Sequence, residues 1–290
     1  MYKICCIGHI TLDKVVNSTG IIHMTGGTSY YFSKALSKME VSYNLVTSLA
    51  QSEMPVVEEL RQQGVTVKAF TSTNSVYFEN SYSDNQNHRT QRVLQKADAF
   101  TIDQLKDVEA EIFHLGPLLA DDISPDVIQY LATKGKISLD VQGFLREVHG
   151  DEVYAIDWAD KMETLPYVHT LKANDHELEV LTGTNEVHKG AKLLANWGVK
   201  EVIITLGSMG SVIYADDTFY AIPAYAPTAV VDATGCGDTY MAGYLYQRAK
   251  GVEIELAGKF ASAMASLKIQ ASGPFNGNEY DVTNKLAVNS

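Results

Sequence analysis

Three short apolar stretches stand out, the first and last apolar at nearly every position and the middle one at alternate positions. They are Tyr2-Lys3-Ile4-Cys5-Cys6-Ile7-Gly8, Ile137-Ser138-Leu139-Asp140-Val141 and Val202-Ile203-Ile204-Thr205-Leu206-Gly207. A strand exposed on one face alternates, whereas a strand covered on both faces does not. The first and last runs therefore predict strands covered on both faces, and the middle one predicts a further strand. Between them lie stretches with helical spacing of apolar positions, including Ser52 to Gln63 and Val187 to Trp197. Strand and helix in alternation predict an α/β fold with a doubly wound, mostly parallel sheet flanked by helices.

One region breaks the alternation. Lys68 to Lys96 is polar, aromatic and rich in Asn, Ser and Thr. It predicts two strands, Ser75 to Tyr82 and Arg89 to Leu94, joined by a polar turn at Asp84 to Asn87. Leu12 to Met24 supplies a further pair of short strands. Together the two segments, about 12–24 and 68–96, are expected to form a small discontinuous β-lid on one domain spanning 1–290. No repeat, low-complexity tract or Pro/Gly/Ser linker marks a domain boundary.

Composition narrows the function. The chain has 290 residues, 46% hydrophobic and 20% charged, with a formal net charge of −12. Such an acidic chain argues against nonspecific nucleic-acid binding and against anionic membranes. No run approaches the 18 or so apolar residues of a membrane span. Three cysteines without CxxC spacing give neither a disulfide framework nor a zinc site. The N-terminal apolar stretch is too short for a signal peptide. The expected compartment is the cytoplasm. The eight histidines show no HxxxH or HxH spacing, so none is read as a metal ligand.

The densest chemistry lies in Val230-Val231-Asp232-Ala233-Thr234-Gly235-Cys236-Gly237-Asp238-Thr239-Tyr240-Met241-Ala242-Gly243. A strand, a loop with two glycines, an aspartate and a helix follow one another. Glycine allows close backbone approach to a ligand, and free amides at a helix start attract an anion. Gly235, Cys236 and Gly237 are the candidate anion hole. Asp238 beside it suits a general base that accepts the proton of an attacking hydroxyl. The plainer alternative is a helix-capping aspartate behind a glycine turn.

The pattern Asp-x-Thr-Gly-x-Gly-Asp resembles the signature of the ribokinase-like carbohydrate and nucleoside kinases, the PfkB family. That family usually has alanine where this chain has Cys236, a change that leaves the amide in place and adds a thiol. The resemblance runs along nearly the whole chain and implies the ribokinase-like α/β fold with its site at the strand C-termini. It also implies a homodimer through the lid.

Other segments take on roles through the same resemblance. Gly26-Gly27 resembles the Gly-Gly element against which the acceptor lies, and otherwise reads as a turn. Asp13 sits where the family places an aspartate that grips substrate hydroxyls. Gln142 and Arg146, in Asp140-Val141-Gln142-Gly143-Phe144-Leu145-Arg146, occupy the place of an Asp-x-Asn-x-Arg run facing substrate or phosphate; a surface salt bridge is the alternative for Arg146. Asn174 and Glu177 match an Asn-x-x-Glu element tied to phosphate and to Mg²⁺ through water, although the same spacing is a capping box. Thr205, Gly207 and Gly210 resemble a nucleotide loop, or else a plain hairpin. Asp232 and Thr234, with the turn Ala271-Ser272-Gly273-Pro274, imply a K⁺ site that orders the glycine loop.

The expected activity is transfer of the γ-phosphoryl group of ATP, with Mg²⁺, to a sugar or polyol hydroxyl, with Asp238 ionised at neutral pH. Tyr31 or its neighbours replace an asparagine that contacts ribose in ribokinases proper. The combination of Gly27-Thr28-Ser29-Tyr30, Asp140-Val141-Gln142, Arg146 and Leu171-Lys172-Ala173 resembles the myo-inositol kinase branch. The alternatives are a nucleoside kinase of adenosine type and a catalytically silent sugar or nucleotide sensor on the same fold.

Overall fold

The computed structural model describes residues 1–17, 20–82 and 89–288. The turn expected at Asp84–Asn87 lies outside them. Two sheets are formed. The larger has nine strands. In spatial order they are Thr218–Ile222, Ser211–Ala215, Glu201–Thr205, Val168–Asn174, Lys136–Asp140, Ala110–Leu115, Tyr2–Ile7, Tyr43–Ala50 and Thr66–Ser72. All neighbours pair in parallel except at the Thr218–Ile222 end, where the last two strands run antiparallel.

The continuous apolar runs have a direct explanation. Successive strand residues point to opposite faces, and both faces are packed. Ile4 and Cys6 join one hydrophobic cluster with the helices Thr28–Leu36, Cys236–Ala249 and Ile254–Lys268. Cys5 and Ile7 join the other, with the helices Pro125–Ala132, Asp175–Thr182 and Val187–Asn196. Cys5 and Cys6 are free, fully buried thiols that pack as small hydrophobes.

Chain order reverses beside Tyr2–Ile7. The strands that follow it run first to one side of the sheet and then, from Ala110 onward, to the other. Such a reversal opens a crevice at the C-terminal ends of the strands. Asp140, Asn174 and Thr205 end three of the strands there.

The smaller sheet has six strands, ordered Arg146–His149, Glu152–Ala155, Arg89–Gln95, Val76–Tyr82, Thr11–Asn17 and Gly20–Gly26. Its outer strand Gly20–Gly26 carries Ile21 and Ile22, both exposed. Two boundaries differ from the sequence expectation. Lys68 to Ser72 belongs to the larger sheet, where Thr66–Ser72 pairs with Tyr43–Ala50. The hairpin Arg146–His149/Glu152–Ala155 joins the smaller sheet through Glu152 and Arg92. Its few alternating apolar positions gave no pattern long enough to predict. Among the described residues, no helix is long and apolar enough to cross a membrane.

Candidate active site

A cavity of about 910 Å³ lies between the strand ends of the larger sheet and the inner face of the smaller one. Period-two alternation puts Thr11, Asp13 and Val15 on one face of their strand, and Phe78 and Asn80 on one face of theirs. All five line the cavity, with Gln91 and Met24 from neighbouring strands.

The opposite wall is the start of the helix Cys236–Ala249. Gly235 caps it with φ 75°, a conformation that favours glycine. A Cβ there would also stand 2.2 Å from the Tyr31 ring. The Cys236 amide donates to the Ala233 carbonyl at 3.2 Å. Among the described residues, the amides of Gly235, Gly237 and Asp238 have no backbone acceptor. The amides left open at this helix start are therefore those three, whereas the Cys236 amide, also expected in the anion hole, bonds within the turn. Burial pushes the Cys236 thiol up to about 11, so it is a packed thiol rather than a reactive thiolate.

Asp238 is the first-turn carboxylate of this helix. Its side chain accepts from the Thr28 hydroxyl. Burial, then the neighbouring Asp140 carboxylate, push its pKa up to about 7, against the pull of Lys172 and of the Thr28 hydrogen bond. Its carboxyl is thus held well above the ordinary carboxylate range, the direction opposite to that expected for a group fully ionised at neutral pH. In folding terms the sign is unfavourable at high pH. A carboxyl raised in the folded state costs stability as pH rises from the ordinary carboxylate range through about 7.

Lys172 was missed as a site residue. It is a lysine in the interior of a central strand, 5% exposed, and such a position demands partners. Its Nζ donates to Asp140 Oδ2 at 3.0 Å and lies 3.7 Å from Glu177 Oε2. Burial pulls the ammonium down, but Asp140 and Glu177 outweigh it and hold the charge on. The same ammonium would lie 3.3 Å from a Cβ placed on Gly237. It therefore sits directly beneath the anion loop.

Asp13 and Gly27 also line the cavity. Asp13 Oδ1 accepts from Thr11 Oγ1 at 2.7 Å. Gly26 stands behind it, where a Cβ would fall 2.3 Å from Asp13 Oδ2. Gln142, Arg146, Asn174, Thr205, Gly207 and Gly210 are all in the cavity wall. Thr205 to Gly210 joins two antiparallel strands, so the hairpin and the wall are the same structure.

Glu177 and Asp232 are outside the wall. Glu177 completes a capping box with Asn174: its Oε2 accepts from the Asn174 amide at 2.8 Å. Its Oε1 accepts from Gln142 Nε2 at 3.4 Å. Each oxygen thus accepts one hydrogen bond, as the capping-box reading expects. Among the described residues, no group of three or more His, Cys, Asp or Glu side chains is arranged to hold a metal. Asp232 accepts from the Thr234 amide at 2.9 Å, and its partner across the turn is Lys268.

A parallel sheet with its crevice at the reversal of strand order, roofed by a second sheet, is the architecture of a class of phosphotransferases. The family model described as pfkB family carbohydrate kinase matches residues 2–280, and the chain belongs to that family. It is 25% identical to the cytidine kinase of Thermococcus kodakarensis over 88% of this chain and 91% of that one. A shorter match, 29% identical, links it to the nucleoside kinase of Methanocaldococcus jannaschii and spans 44% of each chain. A solved structure of a pyrophosphate-dependent kinase in the ribokinase family, complexed with a pyrophosphate analog and myo-inositol, superposes with a TM-score of 0.86. That pair is 28% identical over 97% of this chain and 99% of the other.

Replacing the central ammonium tests the charge arrangement. Lys172→Met leaves Asp140 and Glu177 buried without their counter-charge and should cost about 3–5 kcal/mol. The uncompensated carboxyls bind protons more readily folded than unfolded, so the loss should grow from pH 5 to pH 8. Denaturant unfolding at the two pH values checks this, and a loss independent of pH would contradict it.

Proposed function

We propose that the protein transfers the γ-phosphoryl group of ATP to a hydroxyl of a sugar or polyol, with Asp238 as general base. The observation that carries this reading is the juxtaposition of Asp238 with the open amides of Gly235, Gly237 and Asp238 at one end of a cavity whose other wall is polar. Asp13, Asn80, Gln91, Gln142 and Arg146 supply hydrogen-bonding groups suited to several hydroxyls, and Val15, Met24, Phe78 and Leu118 supply apolar contact for carbon faces. A nucleoside acceptor would need a broader aromatic surface than Phe78 offers.

In this reading Asp238 takes the proton of the acceptor hydroxyl as that oxygen bonds to the γ-phosphorus. The bond to the bridging oxygen breaks, and ADP leaves. The loop amides and Lys172 stabilise charge on the transferring group. Mg²⁺ would neutralise the donor phosphates, held mainly by those phosphates and water, with Asn174 in the cavity wall as the expected residue beside them. The smaller sheet acts as the lid that keeps water from the transfer.

The cavity wall also includes Ala224, Tyr225, Pro227, Val230, Ala265 and Ile269. Apolar lining of this kind suits a purine and is superfluous for pyrophosphate. The likeness to a pyrophosphate-dependent kinase favours the second reading, in which pyrophosphate is the donor.

Transfer assays over sugars, polyols and nucleosides, each with Mg-ATP and with Mg-pyrophosphate, separate the two. Turnover with ATP and a polyol or sugar is expected. Turnover with pyrophosphate alone would reassign the donor, and nucleoside-only turnover would reassign the acceptor. With an active pair in hand, kcat/KM should rise about tenfold per pH unit below a midpoint of about 7 and then level, because only ionised Asp238 accepts the proton. A flat profile from pH 5 to 9 would remove the base. A homodimer through the lid would use the edge strand with Ile21 and Ile22, and sedimentation of a monomer at all concentrations would exclude it.

A further inference from the structure

The helix Ile254–Lys268 ends on a lysine whose side chain is 0% exposed. Burying an ammonium is costly unless it is paired and hydrogen-bonded. Its partners all belong to, or touch, the segment leading into the anion loop. Lys268 Nζ donates to the Asp232 carbonyl at 2.7 Å and lies 3.3 Å from Asp232 Oδ2. It also faces the Tyr31 ring, 5.8 Å from its centroid. Tyr31 is the ring against which Gly235 packs. The last carbonyls of a helix add negative potential around such a cation.

The Asp232 segment is tied down from several sides. The amides of Val231 and Asp232 both donate to the Ile269 carbonyl, at 2.8 and 3.2 Å. Asp232 Oδ1 accepts from the Thr234 amide, one residue before Gly235, at 2.9 Å. Asp232 Oδ2 accepts from the Gly273 amide at 3.3 Å. These are the residues that the sequence suggested for a monovalent cation: Asp232, Thr234 and the Ala271–Pro274 turn. A K⁺ ion is held by carbonyl and carboxylate oxygens that replace its water. Here the Asp232 oxygens already surround a covalently tethered cation.

We propose that Lys268 is a built-in counter-ion that orders the anion loop, and that it removes the need for a free monovalent cation. It is a positioning residue: it acts on Gly235 to Asp238 through Asp232 and Tyr31, and it is absent from the cavity wall. Its effect on rate rests on the kinase reading above; its effect on the loop does not.

The test uses the full chain and two readouts: the rate of phosphoryl transfer, and amide hydrogen exchange of residues 232–238 without substrate. For the wild type, replacing KCl by tetramethylammonium chloride at equal ionic strength should change neither by more than about twofold. Lys268→Met should lower kcat by about 10- to 100-fold, as a displaced loop would. It should also lose loop protection, with acceptor KM little changed, and K⁺ or NH₄⁺ should restore both rate and protection while tetramethylammonium does not. A wild type that requires K⁺ would overturn the proposal. So would a Lys268→Met variant that keeps rate and protection in tetramethylammonium, or one that loses both without rescue by a small cation. If Lys268→Met does not fold, Lys268→Gln takes its place, and the wild-type cation dependence decides by itself. If no donor and acceptor pair reacts, the kinase reading fails, and the exchange measurements still decide the role of Lys268.

Discussion

The ammonium of Lys172 lies 3.0 Å from Asp140 and 3.7 Å from Glu177, and the floor of the cavity depends on that contact. Three carboxylates, those of Asp140, Glu177 and Asp238, converge where the larger sheet's strands end, and one buried cation stands among them. With a single positive charge for three negative ones, one carboxylate must bear the imbalance. Asp238 bears it: burial first, and then the Asp140 carboxylate, push its pKa up to about 7 against the pull of Lys172. A group poised there is close to the best compromise between being ionised and holding a proton firmly. The pairing that stabilises the strand ends thus also sets the reactivity of the residue beside the anion loop.

The anion loop is supported from two sides by lysines that no solvent reaches well. Lys172 underlies Gly237 from the sheet, and Lys268 grips Asp232 from the end of a neighbouring helix. An acidic chain of net charge −12 would repel phosphates at large. The open amides at the helix start, with Lys172 beside them in the cavity wall and Lys268 behind the loop, supply donors for phosphate within that acidic chain. Tyr31, packed against Gly235 with its hydroxyl lacking a protein partner among the described residues, fixes the loop's third side.

Much of this was legible in the sequence. The Asp-x-Thr-Gly-x-Gly-Asp run gave the family, and the continuous apolar runs gave the sheet buried on both faces. What could not be read was set by distant contacts. Lys172 follows an apolar residue in a strand and precedes another; only the folded sheet shows that Asp140, from the adjacent strand, is its partner. Asp232 and the Ala271–Pro274 turn suggested a cation, but the cation's identity depends on Lys268, which is distant in sequence at the end of another helix. Glu177 matched both a capping box and a metal element, and the hydrogen bonds to Asn174 and Gln142 show the cap. The hairpin Arg146–Ala155 is too short for its pattern to stand out, so its addition to the smaller sheet was invisible.

The central claim is that Asp238 takes a proton in the transfer step, and a single-turnover measurement on Asp238→Asn tests it most directly. The substitution keeps the shape and removes the basic oxygen. Measured above pH 7 with donor and acceptor saturating, the rate of phosphoryl transfer should fall by about 10²- to 10⁴-fold. The melting temperature should hold or rise, because an ionised carboxylate no longer has to be kept in a buried, acidic surrounding. A folded Asp238→Asn protein that transfers phosphate at the wild-type rate would contradict the account.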